Sequence, residues 1–570
     1  MKHIQVTILF FFCVYQNAAS YIDYESPYHP VITSSGMVVT QNNLSSNLGV
    51  EILNRGGNAI DAAVAVGFSL AITLPRAGNL GGGGFMLVYL KEKDEIFFID
   101  YRSQSPLNTE LQDIFQKSLP KNYSKVDFSI VKEGYKASAL PGTVAGLLDA
   151  HKSFGVLPLN EILEPVIKQA KEGIVVSYDL HKAIESTPQL LKDKESKKIY
   201  FKNNKPLPVG SLMVRNDLAK TLELISQNGK DAFYKGPIKN KILKAMIDNG
   251  GFLQNDDFES YTINSGPPLA TSYRDNLVFT AAPPSGGGVV LLTSLNILNT
   301  FKLKKLGSDS TATYHLLAES LRRGHNNRSH HIGDPKYYDV PVKDLFSLDR
   351  TKEFVKSISS SKATPSSKIK PLRVVKESRD TTHYSIIDKE GNAVSNTYTL
   401  GYSFGSGVTI PGTGILMNNQ MNNFAYRYGD SSIQGRVASP ANRYQPGKRP
   451  MSTMAPTMVF NKDNELMLIT GSPGGSYIPA AILRVVSGII DFELDIGAAT
   501  MLTRIHKDWP YKGLDYEKTM SEDTILGLKK LGHYPESNKT MGSTQSIHII
   551  DGVRYGYADL RRPNAAVSTQ

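Results

Sequence analysis

The chain has 570 residues, of which 40% are hydrophobic and 21% charged, and this balance excludes a mainly disordered protein. Lys and Arg exceed Asp and Glu by 11 charges, but like charges do not gather in long blocks, so no nucleic-acid partner is expected. The length would allow three or four domains. The even spread of 47 Gly and 30 Pro suits one large, loop-rich domain equally well.

Residues 1–20 have the layout of a secretory signal peptide. Lys2 and His3 precede an apolar stretch at 8–14, and small residues lead up to Ser20. The apolar stretch is far shorter than the roughly 20 residues of a membrane-spanning helix. We therefore expect cleavage after Ser20, a mature chain without a membrane span, and an extracellular location.

The single cysteine, Cys13, lies inside this segment. The mature chain would then have no disulfide and no cysteine nucleophile, and neither a metal nor another cofactor is expected. Asn-X-Ser/Thr tripeptides mark candidate N-glycosylation sites in a secreted protein. They begin at Asn43, Asn122, Asn327 and Asn538.

Apolar residues at helical spacing predict helices through the first two thirds of the chain. These helices are expected at 43–54, 59–73, 157–171, 217–226 and 311–328. The second is apolar on nearly every side, which indicates a helix buried in a large core. The stretch 357–370, rich in Ser, Lys and Pro, is predicted to be an exposed, mobile loop.

A run of glycines at 81–84 leads into a strand at 85–90. A dinucleotide fingerprint has the opposite order, strand before glycines, so no phosphate site is expected here. The glycines favour close passage of the backbone past another backbone or a ligand. After residue 374 the pattern becomes β-rich, with short alternating segments at 382–387, 393–400, 454–460, 466–470 and 546–550.

The strongest signal stands where the helical part gives way to the β-rich part: residues 380–388 read Asp-Thr-Thr-His-Tyr-Ser-Ile-Ile-Asp. Together with further blocks in the same order, this segment resembles the γ-glutamyltranspeptidase family. Those blocks are 56–65, 77–87, 141–146, 418–421, 448–450, 470–476 and 541–546. The resemblance implies an α+β, N-terminal-nucleophile hydrolase fold. That fold is an αββα sandwich, one large domain built from two self-cleaved chains.

The chemistry expected at Thr381 needs no histidine. A buried threonine hydroxyl can attack the carbonyl of the preceding peptide, form an ester and be released by water as a new chain start. The freed α-amino group, with a reference pKa of about 7.7 to 8.0, can then serve as the hydroxyl's general base. By resemblance the cut falls between Asp380 and Thr381. It would give a large chain, 21–380, and a small chain, 381–570.

The resemblance also implies roles for residues around that nucleophile. Thr399 would orient the Thr381 hydroxyl, and the backbone N–H groups of Gly474 and Gly475 would stabilise the tetrahedral oxyanion. Further residues would bind the donor substrate. Arg102, Ser452 and Thr453 would hold its α-carboxylate, and Gln420 and Asn423 would face its α-amino group.

Several positions depart from the family pattern. Gly401 stands where asparagine is usual, Gln420 and Ser103 where glutamate is usual, and Asn423 where aspartate is usual. Most of these changes fall on the surface that would hold the ammonium group, where a charge-assisted bond becomes a neutral one. We therefore expect a weakened donor site, and higher kcat/KM on restoring Asn at 401 and Asp at 423.

Three functions remain open on these residues. The first is an active, secreted γ-glutamyl hydrolase and transferase that uses glutathione-like donors and passes the acyl group to water, amino acids or peptides. The second is a self-cleaved but catalytically weak relative that acts by binding, for example as a venom or secretion component. The third is another N-terminal-nucleophile amidase, such as an acylase, whose donor has no free amine.

Overall fold

A computed structural model describes residues 27–110, 128–369, 381–426, 441–538 and 540–570. The expected leader at 1–20 with Cys13, the tripeptide at Asn122, and Asp380 lie outside these ranges. Among the helices of the described ranges, none is both long and apolar enough to cross a lipid bilayer.

The strands within these ranges are β1 (Val31–Thr33), β2 (Met37–Thr40), β3 (Gly83–Leu90), β4 (Glu95–Tyr101), β5 (Ile174–Val175), β6 (Phe201–Lys202), β7 (Lys205–Pro206), β8 (Leu212–Met213), β9 (Asn264–Gly266), β10 (Leu269–Tyr273), β11 (Asn276–Thr280), β12 (Thr382–Ile387), β13 (Ala393–Thr399), β14 (Thr457–Phe460), β15 (Leu466–Thr470), β16 (Ile505–His506), β17 (Gly513–Glu517), β18 (Tyr534–Asn538), β19 (Gln545–Ile550), β20 (Val553–Ala558) and β21 (Ala566–Thr569).

The helices are α1 (Asn43–Asn54), α2 (Ala59–Thr73), α3 (Thr143–Phe154), α4 (Leu159–Glu172), α5 (Tyr178–Glu185), α6 (Lys194–Tyr200), α7 (Asn216–Asn228), α8 (Asp231–Tyr234), α9 (Pro237–Asp248), α10 (Asn255–Ser260), α11 (Gly286–Leu298), α12 (Thr311–His331), α13 (Val342–Leu345), α14 (Leu348–Lys356), α15 (Ile478–Ile490), α16 (Ile496–Met501) and α17 (Glu522–Lys530).

Two large antiparallel sheets form the centre of the molecule. One has the order β1-β20-β19-β15-β14-β11-β10 and the other β21-β2-β12-β13-β3-β4-β9. Each sheet takes strands from both sides of residue 381. In the second sheet, β12 pairs with β2 on one side and β13 on the other, so the segment that starts at Thr382 lies well inside the sheet.

Alternating side chains of the second sheet divide between two hydrophobic cores. Val38 and Val88 pack with helices α1, α2 and α4 on the outer face. Val39 and Leu87 belong instead to the core that includes the first sheet and helices α11, α12 and α15. Helix, sheet, sheet and helix layers therefore follow one another, and the predicted αββα sandwich is confirmed.

Helix α2 shows why some boundaries were predictable. It runs from Ala59 to Thr73, as expected, because Asn58 and Asp61 form a capping box at its start and every residue in it is buried. Strand β12 also has its predicted bounds. The predicted helix at 311–328 continues for three more residues, to His331.

Two expectations need correction. A glycan on Asn327 is incompatible with this fold, because the side chain is wholly buried in α12 and donates to Thr293 Oγ1 at 3.3 Å. The segment predicted as an exposed loop at 357–370 is exposed over much of its described length, but Thr364 is buried and its N–H donates to Glu319 Oε1 at 3.2 Å. The hydrogen bond to the buried Glu319 carboxylate in α12 therefore holds Thr364, and with it part of this segment, against the protein.

Candidate active site

Thr381 is the residue directly before β12, and its exposed fraction is 8%. In the ladder between β12 and β13, Thr382 pairs with Tyr398, so the same register places Thr381 opposite Thr399. Both threonines thus stand at one end of adjacent central strands. The branched Cβ of threonine restricts χ1, so the directions open to the Thr381 hydroxyl are limited.

Thr399 is held by backbone contacts on two sides. Its Oγ1 accepts a hydrogen bond from Gly401 N at 2.9 Å. A Cβ on Gly82 would lie only 2.1 Å from the Thr399 carbonyl oxygen, so a side chain cannot be accommodated at position 82 without a shift. The glycine run is therefore explained by close backbone approach beside the candidate nucleophile.

Arg102 follows β4 and is fully buried. Its Nε donates to Pro450 O at 3.3 Å and its Nη2 to Met451 O at 3.2 Å, while Nη1 donates to Gln420 Oε1. The guanidinium is therefore fixed against the segment that leads to Ser452. It is not the surface residue that an isolated arginine would usually be.

Gln420 connects this arginine to the nucleophile end of the sheet. Its Nε2 donates to Thr399 O at 2.7 Å, and its Oε1 accepts from Arg102. Both ends of the buried amide are therefore engaged. The side chain predicted to meet a substrate amine also acts as a bridge inside the protein.

Ser452 and Thr453, 4% and 3% exposed, lie against the start of α11. Gly286 N donates to Ser452 O at 2.6 Å. A Cβ on Gly287 would lie 2.0 Å from Thr453 O, so the helix can approach only because its first residues are glycines. Helix α11 thus braces the two hydroxyl residues from behind.

Gly474 and Gly475 form a turn with φ of +125° and +58°, values that favour glycine. Neither N–H donates to another atom of the described residues. The turn is supported by Ser543 N, which donates to Ser472 Oγ at 2.9 Å. Two adjacent unused N–H donors on a braced turn are what an oxyanion hole requires.

His383 links the turn to the nucleophile strand. It lies two residues after Thr381, and its ring nitrogens lie 2.8 Å from Thr397 Oγ1 and 3.0 Å from Ser385 Oγ. A Cβ on Gly471 would lie 2.3 Å from the imidazole, so the start of the 471–475 turn packs directly on this ring. Burial lowers the pKa of His383 to about 3, so the ring is neutral.

The sequence contains His383 in the Thr-x-His pattern, but the sequence alone does not predict its contact with the 471–475 turn. The ring is the physical contact between two parts of the site that are distant in sequence.

The predicted ammonium surface is built from neutral groups. Asn423 is 6% exposed and its Oδ1 has no hydrogen-bond partner in the described residues. Gly401 has φ of +105°, and a Cβ there would lie 2.2 Å from Asn419 Oδ1. The expectation that Asn at position 401 restores the site is therefore wrong for this backbone, because the side chain would be strained and would clash.

Ser103, the remaining departure, is fully buried next to Arg102, and its Oγ has no partner among the described residues. The structure thus connects Thr399, Gln420 and Arg102 through direct contacts, and the strand register places Thr381 opposite Thr399. It links Gly474 and Gly475 to the same strand through His383. Of the four tripeptides, Asn43 is exposed and Asn538 is half-buried, with its Nδ2 donating to Tyr477 Oη.

Comparison with known proteins identifies one family over most of the chain. A family model described as Gamma-glutamyltranspeptidase matches residues 45–569. The glutathione hydrolase proenzyme of Escherichia coli K12 is 40% identical over 541 residues, covering 94% of this chain and 92% of the relative. The acylase ACY 1 proenzyme of Pseudomonas sp. SE83 is 33% identical over 564 residues, covering 96% of each chain.

Solved structures give the same picture. Cephalosporin acylase from Bacillus halodurans superposes with a TM-score of 0.84 at 26% identity, over 98% of this chain and 99% of that one. A γ-glutamyltranspeptidase chain from Helicobacter pylori gives a TM-score of 0.55 at 35% identity, covering 61% of this chain and 97% of its own.

Proposed function

This chain belongs to the γ-glutamyltranspeptidase family, and from that premise we propose that it is a self-cleaving proenzyme that hydrolyses or transfers the γ-glutamyl group of glutathione and related donors. The observation that carries the proposal is the position of Thr381. It lies directly before a central strand and, by the strand register, opposite Thr399, whose carbonyl is tied through Gln420 to the buried Arg102.

Maturation would begin at the peptide between Asp380 and Thr381. The Thr381 hydroxyl attacks the Asp380 carbonyl, the C–N bond breaks, and the nitrogen takes the proton as an ester forms. Water then hydrolyses the ester, which leaves a carboxylate on the large chain and a free amine on Thr381. The products are the chains 21–380 and 381–570, and their shared sheets support continued association.

Turnover would use the same hydroxyl. The Thr381 amine accepts the hydroxyl proton while Oγ1 attacks the donor's γ-carbonyl, and the N–H groups of Gly474 and Gly475 stabilise the resulting oxyanion. Collapse expels the leaving amine, which is cysteinylglycine when the donor is glutathione, and the amine takes the proton. The ester on Thr381 is then cleaved by water or by the amine of an amino acid or peptide.

A second candidate, an acylase for donors without an α-amino group, is favoured by one observation. The two side chains carried over for that group, Gln420 and Asn423, are both neutral, and Asn423 Oδ1 is unpaired in the described residues. A glutaryl donor keeps the distal carboxylate for Arg102 and has no ammonium to bind. A relative at 33% identity is named an acylase.

The deciding experiment compares γ-glutamyl-p-nitroanilide with glutaryl-p-nitroanilide on the purified, self-cleaved protein, with Thr381→Ala as the blank. We expect kcat/KM for the γ-glutamyl compound to exceed that for the glutaryl compound by at least tenfold. The reverse preference establishes the acylase. No turnover of either compound, together with tight binding of glutathione, supports instead a catalytically weak relative that acts by binding.

We further propose that the protein is secreted after removal of residues 1–20, with glycans at Asn43 and Asn538 among its tripeptides. The exposure of Asn43 is compatible with a glycan there. Expression of the full chain in a secretory host, followed by sequencing of the released protein, tests this. A first residue other than Tyr21 contradicts the proposed processing.

A further inference from the structure

Asp100 and Arg449 form a buried ion pair that the proposed function leaves without a role. Asp100 Oδ2 lies 2.6 Å from Arg449 Nη1, and each side chain is 2% exposed. Asp100 lies near the end of β4, whereas Arg449 lies far along the chain in the block 448–450. A pair this well buried gives little net stability over apolar residues of similar size, so its geometry is the more informative property.

On one side, the pair fixes the backbone from which Arg102 departs. Asp100 Oδ1 accepts a hydrogen bond from Arg102 N at 2.8 Å. Arg449 Nη1 also donates to the Asp100 carbonyl at 2.9 Å, so the guanidinium contacts the strand backbone as well as its carboxylate. The end of β4 is thus fixed directly before Arg102. Arg102, Ser452 and Thr453 together form the proposed carboxylate clamp.

On the other side, the pair anchors the segment that carries Ser452 and Thr453. Arg449 N donates to the buried Asp334 Oδ2 at 2.9 Å. The carbonyls of the next two residues, 450 and 451, accept from the Arg102 guanidinium at 3.3 and 3.2 Å. The two hydroxyl residues follow directly in the chain.

We propose that Asp100 and Arg449 are positioning residues that set the spacing between Arg102 and the Ser452–Thr453 hydroxyls, and thereby the fit of the donor's distal carboxylate. The inference rests on the proposed function. It applies to γ-glutamyl and glutaryl donors alike, because both end in that carboxylate. Recognition of a carboxylate by a planar guanidinium depends on alignment, and a displacement of about 1 Å can cost about 100-fold in rate.

The test is Asp100→Asn, which keeps the side-chain shape and removes the charge. We expect kcat/KM for the preferred anilide donor to fall about 100-fold, mainly through KM. Activity on γ-aminobutyryl-p-nitroanilide, which has the amine but no distal carboxylate, should change less than threefold. Self-cleavage should proceed normally, because that step acts on the chain's own Asp380–Thr381 peptide and binds no external donor.

A double-mutant cycle provides the second readout. In an Arg102→Gln background the clamp is already lost, so Asp100→Asn should lower kcat/KM by less than a further threefold. Glu319→Gln is the matched control, because it breaks a pair with Arg323 that is also 2.6 Å long and fully buried. This control should lower Tm and leave the ratio of activities on the two donors unchanged.

Equal losses on both donors, or a full additional loss in the Arg102→Gln background, would overturn the positioning role. If Asp100→Asn fails to mature, Asp100→Leu combined with Arg449→Met takes its place, because apolar pairs often replace buried ion pairs without loss of folding. It should show the same selective loss. A wild-type protein without anilide turnover contradicts the proposed function, whereas an active wild type with an unaffected Asp100→Asn contradicts only this inference.

Discussion

The substitution Gly471→Ala tests whether one close contact sets the distance between Thr381, the proposed nucleophile, and the 471–475 turn, the proposed oxyanion hole. The added Cβ would lie 2.3 Å from His383 Cε1 and 2.4 Å from Nδ1, where ordinary contact begins near 3.4 Å. The overlap is therefore about 1 Å. His383 is restrained because Thr397 and Ser385 hold its two nitrogens, so the 471–475 turn is expected to move instead.

The expected magnitude follows from that overlap. Overpacking of this size costs about 1 to 3 kcal/mol of stability. Misplacing an oxyanion donor costs about 100- to 1,000-fold in kcat, so we expect at least a 100-fold loss with KM nearly unchanged. The pH dependence of the remaining activity between pH 5 and 9 should match the wild type, because burial keeps the pKa of His383 at about 3 and the ring neutral.

The assay is donor hydrolysis by the mature protein, with stability followed by thermal unfolding. Gly266→Ala is the matched control, because a Cβ there meets no heavy atom within 4 Å. It should leave kcat and Tm close to the wild type. A Gly471→Ala protein with kcat within threefold of the wild type would refute the claim that the His383 contact positions the turn.

Three further outcomes are expected. Thr381→Ala should give one uncut chain on denaturing electrophoresis, whereas the wild type gives two and its smaller chain begins at Thr381; an unchanged pattern rejects the nucleophile assignment. Asn423→Asp should raise kcat/KM for the γ-glutamyl anilide about tenfold and lower it for the glutaryl anilide, since a charged acceptor binds an ammonium more strongly than an amide does; equal effects on both donors place Asn423 outside the ammonium site. Burial, reinforced by Arg322, lowers the pKa of Lys507 to about 7. Between pH 7 and 10 the unfolded chain therefore binds about one proton more than the folded chain, so the free energy of unfolding rises with pH in this range. Lys507→Met should reduce the slope of that free energy against pH by the equivalent of about one proton, measured by denaturant titration at several pH values; an unchanged slope contradicts the pKa shift.

Local chemistry made part of the fold predictable. Helix α2 begins at a capping box and is apolar throughout, and the sequence contains both signals. The order of strands in the sheets was not accessible to pattern reasoning, because β12 pairs with β2, more than 300 residues earlier in the chain. The burial of Asn327 could not be predicted either, because the tripeptide pattern is local and does not indicate which parts of the fold pack around it.

The candidate site was also predictable only in part. The resemblance identified the site residues, and the structure brings Arg102, Gln420 and Thr399 into direct contact. The effect of each departure from the family pattern could be judged only from the three-dimensional structure. From the sequence, Gly401 indicated only a lost side chain. Its positive φ and the nearby Asn419 Oδ1 show that the local backbone has a conformation that favours glycine.

The interleaving of strands also has a consequence for when maturation can occur during protein synthesis. The strand β15, which leads into the 471–475 turn, pairs with β19, and β2, the neighbour of β12, pairs with β21. Both partners are translated some 160 residues or more after Thr381. A ribosome-bound nascent chain that ends before them cannot complete either sheet. The proposed self-cleavage is therefore expected to wait until these late strands have left the exit tunnel, so that truncated products remain uncut.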